Sequence, residues 1–105
     1  MLKHYKIPGA LSLLVILSLV ACTTIPIQGM SDARQAFQAA VDADASSLAP
    51  EEYKEAKVLL EDADHFMAQG RYELAGKVAL RAKLVSLRAR HRALQQRNNR
   101  SVTTP

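Results

Sequence analysis

Apolar residues recur at helical intervals from Ser31 onward. Ala33, Ala36, Phe37, Ala40 and Val41 follow at spacings of three and four, and the run closes on Asp44. That is the period of one face of an α-helix. Ser31 and Asp32 offer side chains that cap helix N-termini, so a first helix is predicted from Ser31 to near Asp44. Pro50 restarts the pattern. Proline at a first helical position forfeits no hydrogen bond, and Glu51 and Glu52 suit the positive end of the helix dipole. Tyr53, Ala56, Leu60, Ala63 and Met67 form the second stripe, widened by Leu59 and Phe66, and Gly70 is a natural C-terminal stop. A third and longest segment is predicted from Arg71 to about Gln96. Tyr72, Ala75, Val78, Ala79, Ala82, Val85, Ser86, Ala89 and Ala93 share one narrow face. Leu80, Leu84, Leu87 and Leu94 form a second strip, offset around the same helix. Two apolar strips predict two neighbours, either the first two helices or another copy of the chain.

No strand-like alternation is present beyond residue 22. The short connections at 45–49 and at Gly70 predict antiparallel neighbours. The expected fold is therefore all-α: a small up-down antiparallel helical bundle of three helices over residues 31–97. Residues 98–105 carry no core pattern and are expected to be a disordered tail.

The first 21 residues follow a different logic. A basic start with Lys3 and Lys6 leads into an apolar run of 12 residues, Ala10 to Ala21. A membrane-spanning helix takes about 20 apolar residues, whereas a secretory signal core takes about 7–15. The run is followed by Cys22, the one cysteine of the chain. Leu19-Val20-Ala21-Cys22 resembles a bacterial lipobox, which implies cleavage between Ala21 and Cys22 and acylation, palmitate included, of the Cys22 sulfur. An ordinary secretory cut would leave an unpaired thiol in an oxidising compartment. The chain thus divides into a signal peptide at 1–21, the lipidated cysteine and a tether broken by Pro26 and Gly29 at 22–30, the helical domain, and the tail. Thr23 stands where aspartate often retains such proteins in the inner membrane. The implied location is the cell envelope, at the periplasmic face of the outer membrane, with acyl chains on Cys22 as the membrane contact. The sequence ends on Pro105 and not on lysine, so covalent murein attachment is not expected.

Charge is segregated. Residues 31–64 hold nine acids against Arg34, Lys54 and Lys57, whereas residues 71–100 hold nine bases against Glu73 alone. Attraction between the halves favours folding one back on the other, although an exposed pair is worth only about 0–1 kcal/mol. About 84 residues without a disulfide make a marginal core, so self-association or a partner is expected.

Three elements stand in order: Ser31-Asp32-Ala33-Arg34-Gln35-Ala36, then Ala49-Pro50-Glu51-Glu52-Tyr53, then Gly70-Arg71-Tyr72-Glu73-Leu74-Ala75. With the lipobox they resemble a family of short bacterial envelope lipoproteins carrying the helical domain of unknown function 4398. The likeness covers residues 31 to about 90 and implies place and architecture, not a reaction. Members sometimes occur joined to peptidoglycan-binding domains, and no such domain is readable here. The hairpin around Gly70 is also similar to one tetratricopeptide unit, but arrays of that kind need about three copies and one is readable.

Candidate chemistry is sparse. His65 and His91 fall on different helices, and zinc-ligand spacing is absent. Glu51, Glu52 and Glu55 cluster in the first turns of a helix, where dipole compensation explains them. Tyr53 and Tyr72 read as core anchors with their hydroxyls at the rim. No enzymatic activity and no cofactor are expected. The candidate interaction residues are Leu80, Leu84, Leu87 and Leu94 together with Arg88, Arg90 and Arg92. Two functions follow. One is a structural or adaptor protein of the envelope, with another envelope protein as partner. The other is direct binding of peptidoglycan, lipopolysaccharide or anionic lipid by the basic helix, through charge-assisted hydrogen bonds. Nucleic acid suits the charge but not the compartment.

Overall fold

The computed structural model describes residues 25–103. The predicted signal segment, Cys22 and Pro105 lie outside them. Among the described residues the chain is all-α, with no strand. Four helices follow in order: α1 (Ile27–Asp42), α2 (Ala45–Leu48), α3 (Pro50–Ala68) and α4 (Tyr72–Thr103).

The helix α1 begins four residues before the predicted Ser31. Pro26 precedes it at φ −79°, and its carbonyl accepts the Met30 N–H at 3.0 Å. Met30 is buried and gives that first turn a core contact. Ser31 and Asp32 therefore sit inside the helix and cap nothing. Residues 27–30, expected in the tether, belong to the bundle.

Asp44 ends α1 in the left-handed region, φ 62°. Its N–H bonds to the Val41 carbonyl at 2.9 Å. The reversal brings Ala45, Leu48 and Ala49 back onto α4, which creates the extra one-turn helix α2 within the predicted connection. Pro50 then opens α3 as the sequence predicts.

Gly70 closes α3 with φ 73°. The Arg71 N–H reaches the Phe66 carbonyl at 2.9 Å and the Gly70 N–H the Met67 carbonyl at 3.1 Å. This pair of bonds is a Schellman cap. A Cβ built on Gly70 would meet nothing within 4 Å, so glycine is needed there for its conformation and not for space. Arg71 also lies over the Phe66 ring, 5.0 Å from its centre.

The helix α4 is the spine of the bundle. Ala75, Ala79, Ala82, Ser86, Ala89 and Ala93 are fully buried along it, at alternating intervals of four and three. Of the 15 buried hydrophobic residues among those described, 13 are alanines. Methyl groups face methyl groups, which lets helix axes approach to the short end of the usual 8–10 Å range. Two clusters result. Met30, Ala33, Ala63, Ala79 and Ala82 meet at one end, and Ala40, Ala43, Ala45, Ala49, Ala89 and Ala93 at the other. Partly buried Leu59, Leu60, Met67 and Val78 wall the first, Leu48 and Tyr53 the second. The Phe37 ring stacks on Tyr53 at 5.2 Å and joins α1 to α3.

The contacts fix the directions. A Cβ on Gly76 would stand 3.3 Å from the Pro26 Cβ, so the start of α1 lies against the start of α4. At the other end Arg97 Nη2 donates to the Ala43 carbonyl at 3.2 Å. Thus α1 and α4 run parallel while α3 runs against both, an up-down-up order. The segregated charges meet as ion pairs: Arg81 with Glu55 at 3.6 Å and Arg92 with Glu52 between α4 and α3, and Lys83 with Asp32 at 3.9 Å between α4 and α1.

The helix continues to Thr103, past the predicted end near Gln96 and through most of the expected tail. Residues 98–103 are exposed. Each added residue completes one more backbone hydrogen bond, and no breaker intervenes before Pro105. The Ser101 hydroxyl donates to the Asn98 carbonyl at 2.9 Å.

Candidate functional site

The leucine strip has a different fate from the alanine row. At 100° per residue its mean direction lies about 140° around α4 from the buried row. Neither α1 nor α3 covers Leu80, Leu84 or Leu87, and Leu94 lies at the edge of a groove shared with Ala39 and Asp42 of α1. Leu80, Leu84, Leu87 and Leu94 are 56%, 53%, 43% and 37% exposed. Of the two alternatives predicted for the strips, the first two helices or another copy of the chain, the first is corrected here. Alanine is small enough that one row accommodates both α1 and α3, and the leucines are left outward. His91 completes their spacing, so Leu80, Leu84, Leu87, His91 and Leu94 alternate by four and three residues. That is the a/d repeat of a helix-pairing seam.

Cations border the seam on both sides, Arg81 and Arg88 along one edge and Lys83 and Arg90 along the other. The two nearer the start of α4 have long ion pairs with Glu55 and Asp32. Arg88 and Arg90 have no hydrogen-bond or ion-pair partner among the described residues. Arg92, grouped with them in the sequence reading, is otherwise engaged. It bonds to Glu52, whose side chain is only 12% exposed, and so belongs to the α3–α4 contact. At the N-terminal end of the seam Glu73 pairs with Lys77 at 3.4 Å.

An open polar groove lies beside the seam near the end of α4, lined by Glu52, Arg88, His91, Arg92, Gln95 and Asn99. It contains one histidine and no converging nucleophile. His65 is on α3, exposed and apart from it. Glu51 and Glu52 occupy the first turn of α3 as expected, and Glu52 and Glu55 are taken up in ion pairs with α4. Tyr53 is the core anchor that the sequence implied, and Tyr72 is half-buried at the start of α4. No group of three or more His, Cys, Asp or Glu side chains able to hold a metal ion occurs among the described residues. No helix among them is long and apolar enough to cross a membrane.

Sequence reasoning identified the leucines as a candidate surface but left open whether the first two helices would cover them, which depends on which of two offset strips the neighbours choose. The heptad register through His91 was a signal present in the spacing. It was masked there because His91 is polar.

A family model described as a domain of unknown function (DUF4398) matches residues 28–104. No curated protein and no solved structure matches the chain.

Proposed function

The chain belongs to the family of the domain of unknown function DUF4398, and on that premise we propose a non-enzymatic, lipid-anchored envelope protein whose bundle is a helical interaction module. The observation that carries the module is the row of leucines left outward on α4 by a bundle that packs through alanine. Four large apolar side chains in helix-pairing register are a costly surface to keep in water unless a partner covers it. The anchor rests on the sequence Leu19-Val20-Ala21-Cys22 after a short apolar run. Cleavage after Ala21 and acylation of Cys22 would hold the bundle at the periplasmic face of the outer membrane. Pro26 follows Cys22 by four residues, so the end of the bundle formed by Pro26 and Gly76 would face the lipid. Confinement to a membrane raises the effective concentration seen by a partner that binds weakly on its own.

Two measurements test this reading. Fatty-acid labelling and membrane fractionation of the parent chain and Cys22→Ser address the anchor: label and membrane association are expected in the parent and lost in the variant. Crosslinking in intact cells addresses the module. Adducts formed by the parent are expected to disappear in Leu84→Glu, and the same adducts in the variant would remove the leucine row from the function.

A second reading takes Arg88 and Arg90 as the binding groups. They are exposed cations without a partner in the bundle, and anionic lipid, lipopolysaccharide phosphate or peptidoglycan carboxylate would suit them. Salt-sensitive co-sedimentation with peptidoglycan or anionic vesicles, lost on Arg88→Glu/Arg90→Glu, is its expected signature.

A further inference from the structure

The seam on α4 carries more information than its hydrophobicity, because the charges beside it restrict what can cover it. In a helix pair, the residues flanking the a and d positions face each other across the seam and select the partner. Here those flanks are Arg81 and Arg88 on one side and Lys83 and Arg90 on the other, with no acid among them.

A second copy is a poor occupant. In a parallel pair Lys83 would face Arg88 of the other copy. In an antiparallel pair each edge would face itself, arginine against arginine. The other helices of a second copy offer no better match. The acidic helix α3 has Val58 as its one exposed large apolar residue, and α1 has Ile27 and Val41 at opposite ends. None presents a row to set against four leucines. A lipid surface is also a poor fit. The leucine row is narrow, one residue wide between cationic edges, and holds no Trp, Tyr or Phe. Interfacial helices instead bury a broad apolar face that includes Trp or Phe.

We propose that the leucine seam of α4 receives an α-helix of a different protein, with apolar residues at alternating three- and four-residue spacing and Asp or Glu along both flanks. The seam from Leu80 to Leu94 runs about 21 Å, or about four turns, and the partner helix lies along that length. Carboxylates on its flanks reach Arg88 and Arg90, the two flanking cations that form no ion pair in the bundle, although Glu52 and Asp42 line the grooves beside them. Lys83 and Arg81 exchange their long pairs with Asp32 and Glu55 for closer ones. The His91 imidazole sits in the seam between Leu87 and Leu94, where a polar group limits the registers a partner can adopt. This inference rests on the reading of the leucine row as a docking surface and is independent of the anchor at Cys22.

The test uses the full chain in nanodiscs of uncharged lipid. The probes are two fluorescent synthetic helices with leucine at the seam positions, one with glutamate on the flanks and one with lysine. The glutamate helix is expected to bind saturably and the lysine helix to bind at least tenfold more weakly. Leu84→Glu and Arg88→Glu/Arg90→Glu each lower affinity for the glutamate helix at least tenfold. All three positions are exposed, and unchanged far-UV circular dichroism verifies the fold. The charge-reversed variant gains affinity for the lysine helix, which a loss of structure could not produce. Absence of saturable binding by the glutamate helix overturns the proposal, as does equal binding of both helices. Concentration-dependent dimerisation abolished by Leu84→Glu would assign the seam to a second copy instead. Binding to anionic vesicles that Leu84→Glu abolishes would assign it to a membrane. If cellular crosslinks depend on Leu84 while the glutamate helix fails to bind, the docking surface stands and the acidic partner falls. If neither depends on Leu84, both fall.

Discussion

The guanidinium of Arg97 donates to the carbonyl oxygen of Ala43 at 3.2 Å, across 54 residues of sequence. Ala43 is the C-terminal cap of α1, where carbonyls lack intrahelical partners and the helix dipole is negative. One side chain of α4 therefore closes α1 and fixes how far α1 runs along it. The contact is partly buried, so its loss is felt beyond the surface. Arg97→Met keeps the aliphatic stem and removes the donor. It is expected to lower stability by about 1 kcal/mol, the net worth of a typical intramolecular hydrogen bond. Urea denaturation of the variant beside the parent checks this.

Both α1 and α3 end on a left-handed residue, Asp44 at φ 62° and Gly70 at φ 73°. The two positions should respond in opposite senses. Glycine at 70 has no steric reason to be there other than its backbone, so Gly70→Ala should cost about 1 kcal/mol. Asp44 already bears such a cost, so Asp44→Gly should leave stability equal or higher. Asp44→Val, β-branched at the same φ, should lose about 1–2 kcal/mol. Equal effects at the two sites in thermal melts would show that neither turn is held as described.

How legible the molecule was follows from where the deciding forces act. Pro50 and Gly70 mark boundaries by local backbone chemistry, and both mark them where expected. The buried row from Ala75 to Ala93 was readable because burial and helical period coincide. The start at Ile27 was not, because Met30 supplies a tertiary contact while Ser31 offers a competing local cap. Nor was α2, whose single turn depends on the reversal at Asp44. The end at Thr103 was misread because a helix can continue without any core to impose a pattern. For the site, the spacing identified Leu80, Leu84, Leu87 and Leu94 as one surface. It could not say that they would remain uncovered, since that depends on alanine admitting two neighbours to one face. Arg92 was grouped with Arg88 and Arg90 by sequence proximity, yet Glu52 claims it across the α3–α4 contact.

That difference among the arginines is measurable. Glu52 and Arg92 bond directly, and the Glu52 side chain is only 12% exposed. Glu55 and Arg81 stand 3.6 Å apart with side chains 43% and 70% exposed. Solvent-exposed pairs typically contribute about 0.2–1 kcal/mol, and burial of one partner raises the value toward the top of that range. Double-mutant cycles with Glu52→Gln/Arg92→Gln should give a coupling near 1 kcal/mol, and with Glu55→Gln/Arg81→Gln one near zero. A larger coupling for the second pair would contradict the geometry. Arg81 would then be held to α3 too firmly to exchange its partner when a helix docks.

Ser86 interrupts the alanine row at its centre. It is fully buried, and its hydroxyl oxygen has no hydrogen-bond partner. An unsatisfied buried polar group costs about 1–3 kcal/mol, and serine is also a weaker helix former than alanine, by a few tenths of a kcal/mol. Both effects favour Ser86→Ala, which should raise stability by about 1 kcal/mol and the melting temperature by about 4–8 °C for a domain this size. Ser86→Leu should do the reverse, because the methyl-to-methyl spacing against α1 and α3 leaves no volume for a branched side chain, and overpacking typically costs about 1–3 kcal/mol. If Ser86→Leu were as stable as the parent, the helices could not be packed through alanine. The reason for leaving the leucines outward would then disappear with it, because larger side chains would be admissible on the inner face.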